Sequence, residues 1–199
     1  MAAMGLPDPD DVAACDELLP TLMVGAPEVL AGPLVLRDYD PAWPTRYERE
    51  AARITSALGA GAIRLEHVGS TSVPGLAAKP IIDIVLEVDD STREQAYVPD
   101  LEHAGYVLTV REPAWFEHRL LKPPGGGVHV HVFSAGCIET ERMVRFRDHL
   151  RQDRADRERY AATKRELAGR AWKYMQQYAD AKSEVVSEIM RRAAPGEPG

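Results

Sequence analysis

From 81 to 88 the chain reads IIDIVLEV, apolar on both faces except for two acids, which is the pattern of a covered central strand. Similar β-rich runs at 63–67, 106–110, 116–121 and 128–133 predict further strands, and LVL at 34–36 a short one. Apolar residues at helical spacing predict helices over 44–58 and 92–104, then three near 139–151, 155–171 and 180–193. Residues 10–24 predict a short amphipathic helix carrying Val12, Leu18, Leu19 and Leu22, with no readable function, while Pro7 and Pro9 leave 1–9 loose. The PPGGG run at 123–127 reads as a hairpin loop rather than a phosphate loop, because no Gly-Lys-Ser/Thr and no helix follows. Trp43 reads as a core anchor. Together these predict an α+β fold, a mixed β-sheet flanked by helices with a C-terminal helical segment.

The segment HVGSTSVPGLAAKPIID, residues 67–83, carries the candidate chemistry. Gly69 permits close backbone approach to a ligand, and Ser70, Thr71 and Ser72 bring hydroxyls and a run of N–H groups suited to an anion. Ser72 or Val73 caps a predicted short helix that Pro80 stops after Lys79; its N-terminus would add a positive dipole end. Lys79 is either a phosphate partner or a solvated charge. Asp83 is the anomaly in its apolar strand, since a buried carboxylate needs a cation, a lysine or backbone donors. Downstream, HVHV places His129 and His131 on one face of a strand. A strand beside Asp83 would aim both rings at one pocket, as metal ligands for zinc or iron, as acid–base groups, or as substrate-orienting residues. His67 has Glu66 beside it to set its tautomer, or the pair is structural.

This segment resembles the signature of the GrpB family, whose fold is similar to that of the nucleotidyltransferase superfamily. YDPAWP at 39–44, HVHV at 129–132, FRDHLR at 146–151, YAATKREL at 160–167 and AKSE at 181–184 extend the likeness over roughly 33–193. The resemblance implies a nucleotidyltransferase-like domain at 33–194, preceded by an acidic extension at 1–32, partly helical or flexible, and followed by a tail at 195–199 whose composition predicts disorder. It also implies a phosphate site at Gly69, Ser70, Thr71, Ser72 and Lys79, joined by Arg147, Tyr160 and Lys164; Arg119 is a further candidate from the 116–121 strand. The superfamily pattern asks for Gly-Ser, then two carboxylates two residues apart, which hold two metal ions for phosphoryl or nucleotidyl transfer. Here Asp83 is present but Val85 stands at the second position. Glu87 lies on the same strand face but about 13 Å from Asp83, too far to share one ion in a regular strand. The candidate ligands are therefore Asp83, His129, His131 and Glu87, and the candidate metal is magnesium or manganese, with zinc an alternative. Asp83, His129 and His131 are also the candidate catalytic residues.

Three functions follow as expectations: a metal-dependent nucleotidyl or phosphoryl transferase using a nucleoside triphosphate and a small acceptor; a non-catalytic domain binding a nucleotide or coenzyme A-related ligand, as some family members are joined to dephospho-CoA kinase; or a His/Asp metal-dependent enzyme acting on a small metabolite. Net charge is −7. Residues 1–40 hold eight acids against Arg37 alone, which leaves the remainder neutral and without the basic face that long nucleic acids require. Two cysteines without a framework and no apolar run of membrane-spanning length predict a cytoplasmic protein, and the alanine- and arginine-rich composition suggests a bacterial source.

Overall fold

Five β segments pair into one mixed sheet in the computed structural model, which describes residues 8, 10–27, 29–30 and 32–193. The expected tail at 195–199, and all of the loose leading segment but Asp8, lie outside the described residues. The strands are β1 (Arg64–Val68), β2 (Ile82–Val88), β3 (Val107–Glu112), β4 (His118–Lys122) and β5 (Val128–Ser134), in the order β1-β2-β5-β4-β3. Only β2 and β5 pair in parallel. Their register sets Asp83 beside His129 and Val85 beside His131.

Side-chain alternation divides the sheet into two chemically different faces. Ile82, Ile84 and Leu86 of β2, with Val128, Val130 and Val132 of β5, enter the main core. There they meet Trp43 and Ile54 of α2 (Trp43–Leu58) and Leu101 of α3 (Val98–His103). Each such side chain contributes about 1.5–3 kcal/mol of gross burial, so this face anchors the strands that carry the polar one. The opposite face carries Asp83, His129 and His131. Over it lie α4 (Ile138–Gln152), α5 (Arg154–Ala168) and α6 (Met175–Asp180), and α7 (Ser183–Arg192) packs on α4 and α5. Phe146 and Leu150 of α4, Tyr160 of α5 and Ile189 of α7 pack together with Val73 and Leu76. No helix among the described residues is long and apolar enough to cross a membrane.

Four expectations change on folding. No helix forms at 73–79: Gly75 takes φ +78°, and Ala78 pairs instead with Arg37 as an isolated bridge. Pro80 also disfavours the helical region at Lys79, so the expected dipole end is absent there. No strand forms at the expected 34–36; the adjacent pairing is that same bridge at Arg37. The helix over 92–104 divides into a 3-10 turn (Glu94–Ala96) and α3, with Pro99 in the first turn of α3. Finally, β4 begins only at His118, because Phe116 and Glu117 adopt φ of 53° and 52°. Trp43 is a core residue, edge-on to Tyr39.

The N-terminal helix α1 (Val12–Leu22) packs on the body through Cys15 and Leu19 against Tyr174. Asp16 accepts from Lys173 Nζ at 2.7 Å and from the Tyr174 hydroxyl at 2.7 Å. Beyond α1, Met23 bridges to Val110 at the free edge of β3.

Candidate functional site

One cavity on the polar face gathers Gly69, Ser70, Thr71, Lys79, Asp83, His129, His131, Tyr160 and Lys164. Asp83 Oδ1 lies 3.3 Å from His129 Nδ1 and 3.6 Å from His131 Nε2. Burial opposes ionisation of Asp83, but the two imidazoles outweigh it and hold the carboxyl well below its usual range. Burial in turn lowers the pKa of His129, partly offset by Asp83. A carboxylate with a neutral imidazole beside it offers the lone pairs that a cation needs. The three side chains place one donor atom each within 4.8 Å of one another, so the donor set fits a divalent ion of the kind bound by two histidines and a carboxylate.

Glu87 is not brought to this cluster. It sits opposite Arg64 on β1, 3.9 Å from Nη1. Val85 is packed with Val68, Phe133 and Met143, so the position of a second acid is occupied by core. A second group of donors, His149, Asp153 and Asp156, is accounted for structurally: Asp153 caps α5, and Asp156 is bound by His149 and Arg192.

Beside this donor set, the turn after β1 is a 3-10 turn, Ser70–Ser72. Thr71 Oγ1 donates to the Ile81 carbonyl at 3.0 Å and meets His67 Nε2 at 3.1 Å. His67 therefore takes Thr71 as its partner, not Glu66, which is bound by Arg64 and Arg147. Burial lowers the His67 pKa to about 4, and its ring stacks on Tyr47. Ser70 is hydrogen-bonded to the Tyr160 side chain. Ser72 turns inward, donating to the Gly69 carbonyl at 2.6 Å, and does not line the cavity.

Opposite the turn stand lysines that face the same space. Lys79 and Lys182 flank the Tyr178 ring, with Nζ at 5.1 and 4.3 Å from its centroid. Lys164 donates to the Ala77 carbonyl at 2.5 Å and lies 4.9 Å from the Tyr160 ring. Burial, with Lys182 next in effect, lowers Lys164 to about 6. Burial, with Lys79 next, lowers Lys182 to about 7. Once protonated, such an assembly of amines is complementary to a multiply charged anion.

Two candidates are placed elsewhere. Arg119 points to the other side of β4, where Nε donates to Glu94 at 2.6 Å. Arg147 donates to Glu66 at 2.7 Å and to the His67 carbonyl at 3.0 Å, which ties α4 to β1.

Sequence reasoning missed three groups. Lys182 falls within the AKSE run but was not singled out as a ligand. His118 and Glu112 form a relay behind His131: His118 Nε2 meets His131 Nδ1 at 3.1 Å, and His118 Nδ1 meets Glu112 Oε2 at 2.5 Å. Both are buried, at 1% and 3% exposure, and His118 is shared between Glu112 and His131. Burial raises Glu112 to about 8 and depresses His118 well below the imidazole range. A β-bulge between Leu108 and Val110 makes this possible. Leu108 faces the main core with Leu121, whereas Val110 and Glu112 face the cavity. Bulges re-aim side chains in this way beside functional sites.

Comparison with known proteins gives the same outline. The GrpB protein family model matches residues 33–192. A UPF0157 protein of Halalkalibacterium halodurans is 55% identical over 178 residues, 89% of this chain and 91% of the relative. The crystal structure of the conserved protein GrpB from Enterococcus faecalis superposes with a TM-score of 0.71 at 31% identity, covering 80% of this chain and 96% of that one. A dephospho-CoA kinase of Mycolicibacterium paratuberculosis is 30% identical over 83% of this chain, which spans 47% of the kinase.

Proposed function

The chain belongs to the GrpB family, and from that premise we propose a metal-dependent enzyme that moves a nucleotidyl or phosphoryl group from a nucleoside triphosphate to a small acceptor. One observation carries the reading: Asp83, His129 and His131 stand in the same cavity as Lys79, Lys164 and Lys182. Asp83, His129 and His131 would hold the ion. When bound, a divalent cation supplies Lewis-acid polarisation of a phosphoryl oxygen. The lysines neutralise the remaining phosphate charge, and Gly69 and Ser70 let the backbone approach it. With Val85 in the second acid position, the reading takes one ion, not two.

A second reading is favoured by the dephospho-CoA kinase relative, in which the matched part is one half of a longer protein. In it the chain binds a nucleotide or coenzyme A-related ligand without chemistry. Isothermal titration of ATP with and without Mn²⁺, followed by phosphorus NMR of the mixture with candidate acceptors, separates the two. The transferase reading expects metal-dependent ATP binding and turnover that Asp83→Asn abolishes with the melting transition intact. Metal-independent ATP binding, unchanged in Asp83→Asn and without product, would leave only the binding domain.

A further inference from the structure

The cavity has a second end that phosphate chemistry does not use. Following the strand register outward from the metal set, His131 of β5 pairs with Leu120 of β4, Leu120 with Val110 of β3, and Val110 with Met23 of the N-terminal arm. All four line the same cavity. This is one row across the sheet, in which a metal-ligand position gives way to three apolar side chains. Three strand spacings of about 4.8 Å make a floor roughly 14 Å long. Leu19 and Pro27 of the N-terminal arm also line the cavity.

The arm is fastened over that floor at both sides. Val24 N donates to the Thr109 carbonyl at 2.9 Å on β3, and Leu30 N to the Lys173 carbonyl at 2.9 Å before α6. The Asp16 contacts with Lys173 and Tyr174 hold α1 in place. Leu19, Met23 and Pro27 all precede residue 33, where the family match begins. The arm therefore adds a wall that the matched domain does not itself contain.

We propose that this end is a subsite for an apolar group, so that the ligand is a phosphate ester or anhydride carrying an aliphatic or aromatic moiety next to its anionic part. The proposal rests on the reading of the lysine end as a phosphate site. With the phosphate on the lysines, the organic moiety lies along Leu120, Val110 and Met23, and the arm sets how long it can be. The acidic character of residues 1–40 does not oppose this, because the arm turns apolar side chains inward while Asp16 is spent on Lys173.

The test is a chain-length series, inorganic phosphate, then methyl, butyl and hexyl phosphate, titrated calorimetrically in Mn²⁺. Affinity is expected to rise roughly fourfold for each added methylene until the floor is filled, the factor for burying one such group. Met23→Gln keeps the side-chain length at a half-buried position and is expected to cut the hexyl-to-inorganic phosphate affinity ratio at least severalfold. Should that variant lose its melting transition, Val110→Thr, close to isosteric, carries the same comparison. Binding of inorganic phosphate with no dependence on chain length overturns the subsite and leaves the phosphate reading standing. A slope that survives both substitutions overturns the assignment to this row. Absence of any phosphate binding overturns both readings.

Discussion

Gly69 and Asp83 are in such close contact that a methyl group at residue 69 would sit 2.3 Å from Oδ2 of the aspartate. Gly69 also adopts φ 68° and ψ −173°, a region essentially reserved for glycine. The turn and the carboxylate are therefore fitted to one another. Gly69→Ala is expected to push Asp83 off His129 and His131 and weaken Mn²⁺ binding, measured by titration calorimetry. Gly75→Ala is the control: Gly75 has φ +78° but open space around it. Both substitutions should cost about 1–3 kcal/mol in backbone strain, while only the first changes metal affinity.

Arg147, a phosphate candidate by resemblance, is used up in joining α4 to β1. Arg147→Ala removes charge-assisted bonds to Glu66 and to the His67 carbonyl. A loss of about 1–3 kcal/mol in denaturant unfolding is expected, with Mn²⁺ and ATP affinities held. A selective fall in ATP affinity at unchanged stability would return Arg147 to the site.

The strands and the main helices were legible because their apolar periods are strong; 81–88 and 128–133 emerge within one or two residues as β2 and β5. Asp83, His129 and His131 were legible for the same reason, as polar residues that interrupt buried strands. His118 was not, because β4 is buried on both faces and its alternation does not say whether His118 or Arg119 enters the cavity. Glu112 was hidden by the bulge, which reverses the face that strict alternation from Leu108 assigns. The helix expected at 73–79 failed on Gly75 and Pro80, and the arm's role depends on a pairing between Met23 and Val110 that no local pattern encodes.

The lysine pair makes anion binding a proton-linked event. Lys164 at about 6 and Lys182 at about 7 are mostly neutral at pH 8 in the free protein. A bound anion favours their ammonium forms, so binding at pH 8 takes up protons, and affinity falls as pH rises above about 7, by up to roughly tenfold per pH unit for each proton linked. Sulfate, which does not itself titrate in this range, is the suitable probe. Calorimetry in buffers of different ionisation enthalpy should report proton uptake at pH 8 and little at pH 5, and Lys182→Met should reduce it. Uptake unaffected by that substitution would place the linkage on another group.

Glu112 tests the relay behind His131. Its folded pKa of about 8 lies above the ordinary 4.5, so the folded chain retains this proton between those values while the unfolded chain releases it. The stability it contributes is complete below pH 4.5 and is lost as pH rises to about 8. Glu112→Gln mimics the protonated acid at every pH, so the variant should gain stability relative to the parent between pH 5 and pH 9, read as a shift in denaturant midpoint. Above pH 8, where Glu112 is ionised, metal affinity should move the other way. His131 Nε2 faces Asp83, and to ligate through that nitrogen the ring must carry its proton on Nδ1, donated to His118 Nε2. His118 then presents Nδ1–H to Glu112, for which a carboxylate is a stronger acceptor than an amide. Loss of such an outer partner costs about 10–100-fold in metal affinity, and Mn²⁺ affinity equal to the parent's in Glu112→Gln above pH 8 would remove the Glu112 carboxylate from any role in orienting His131.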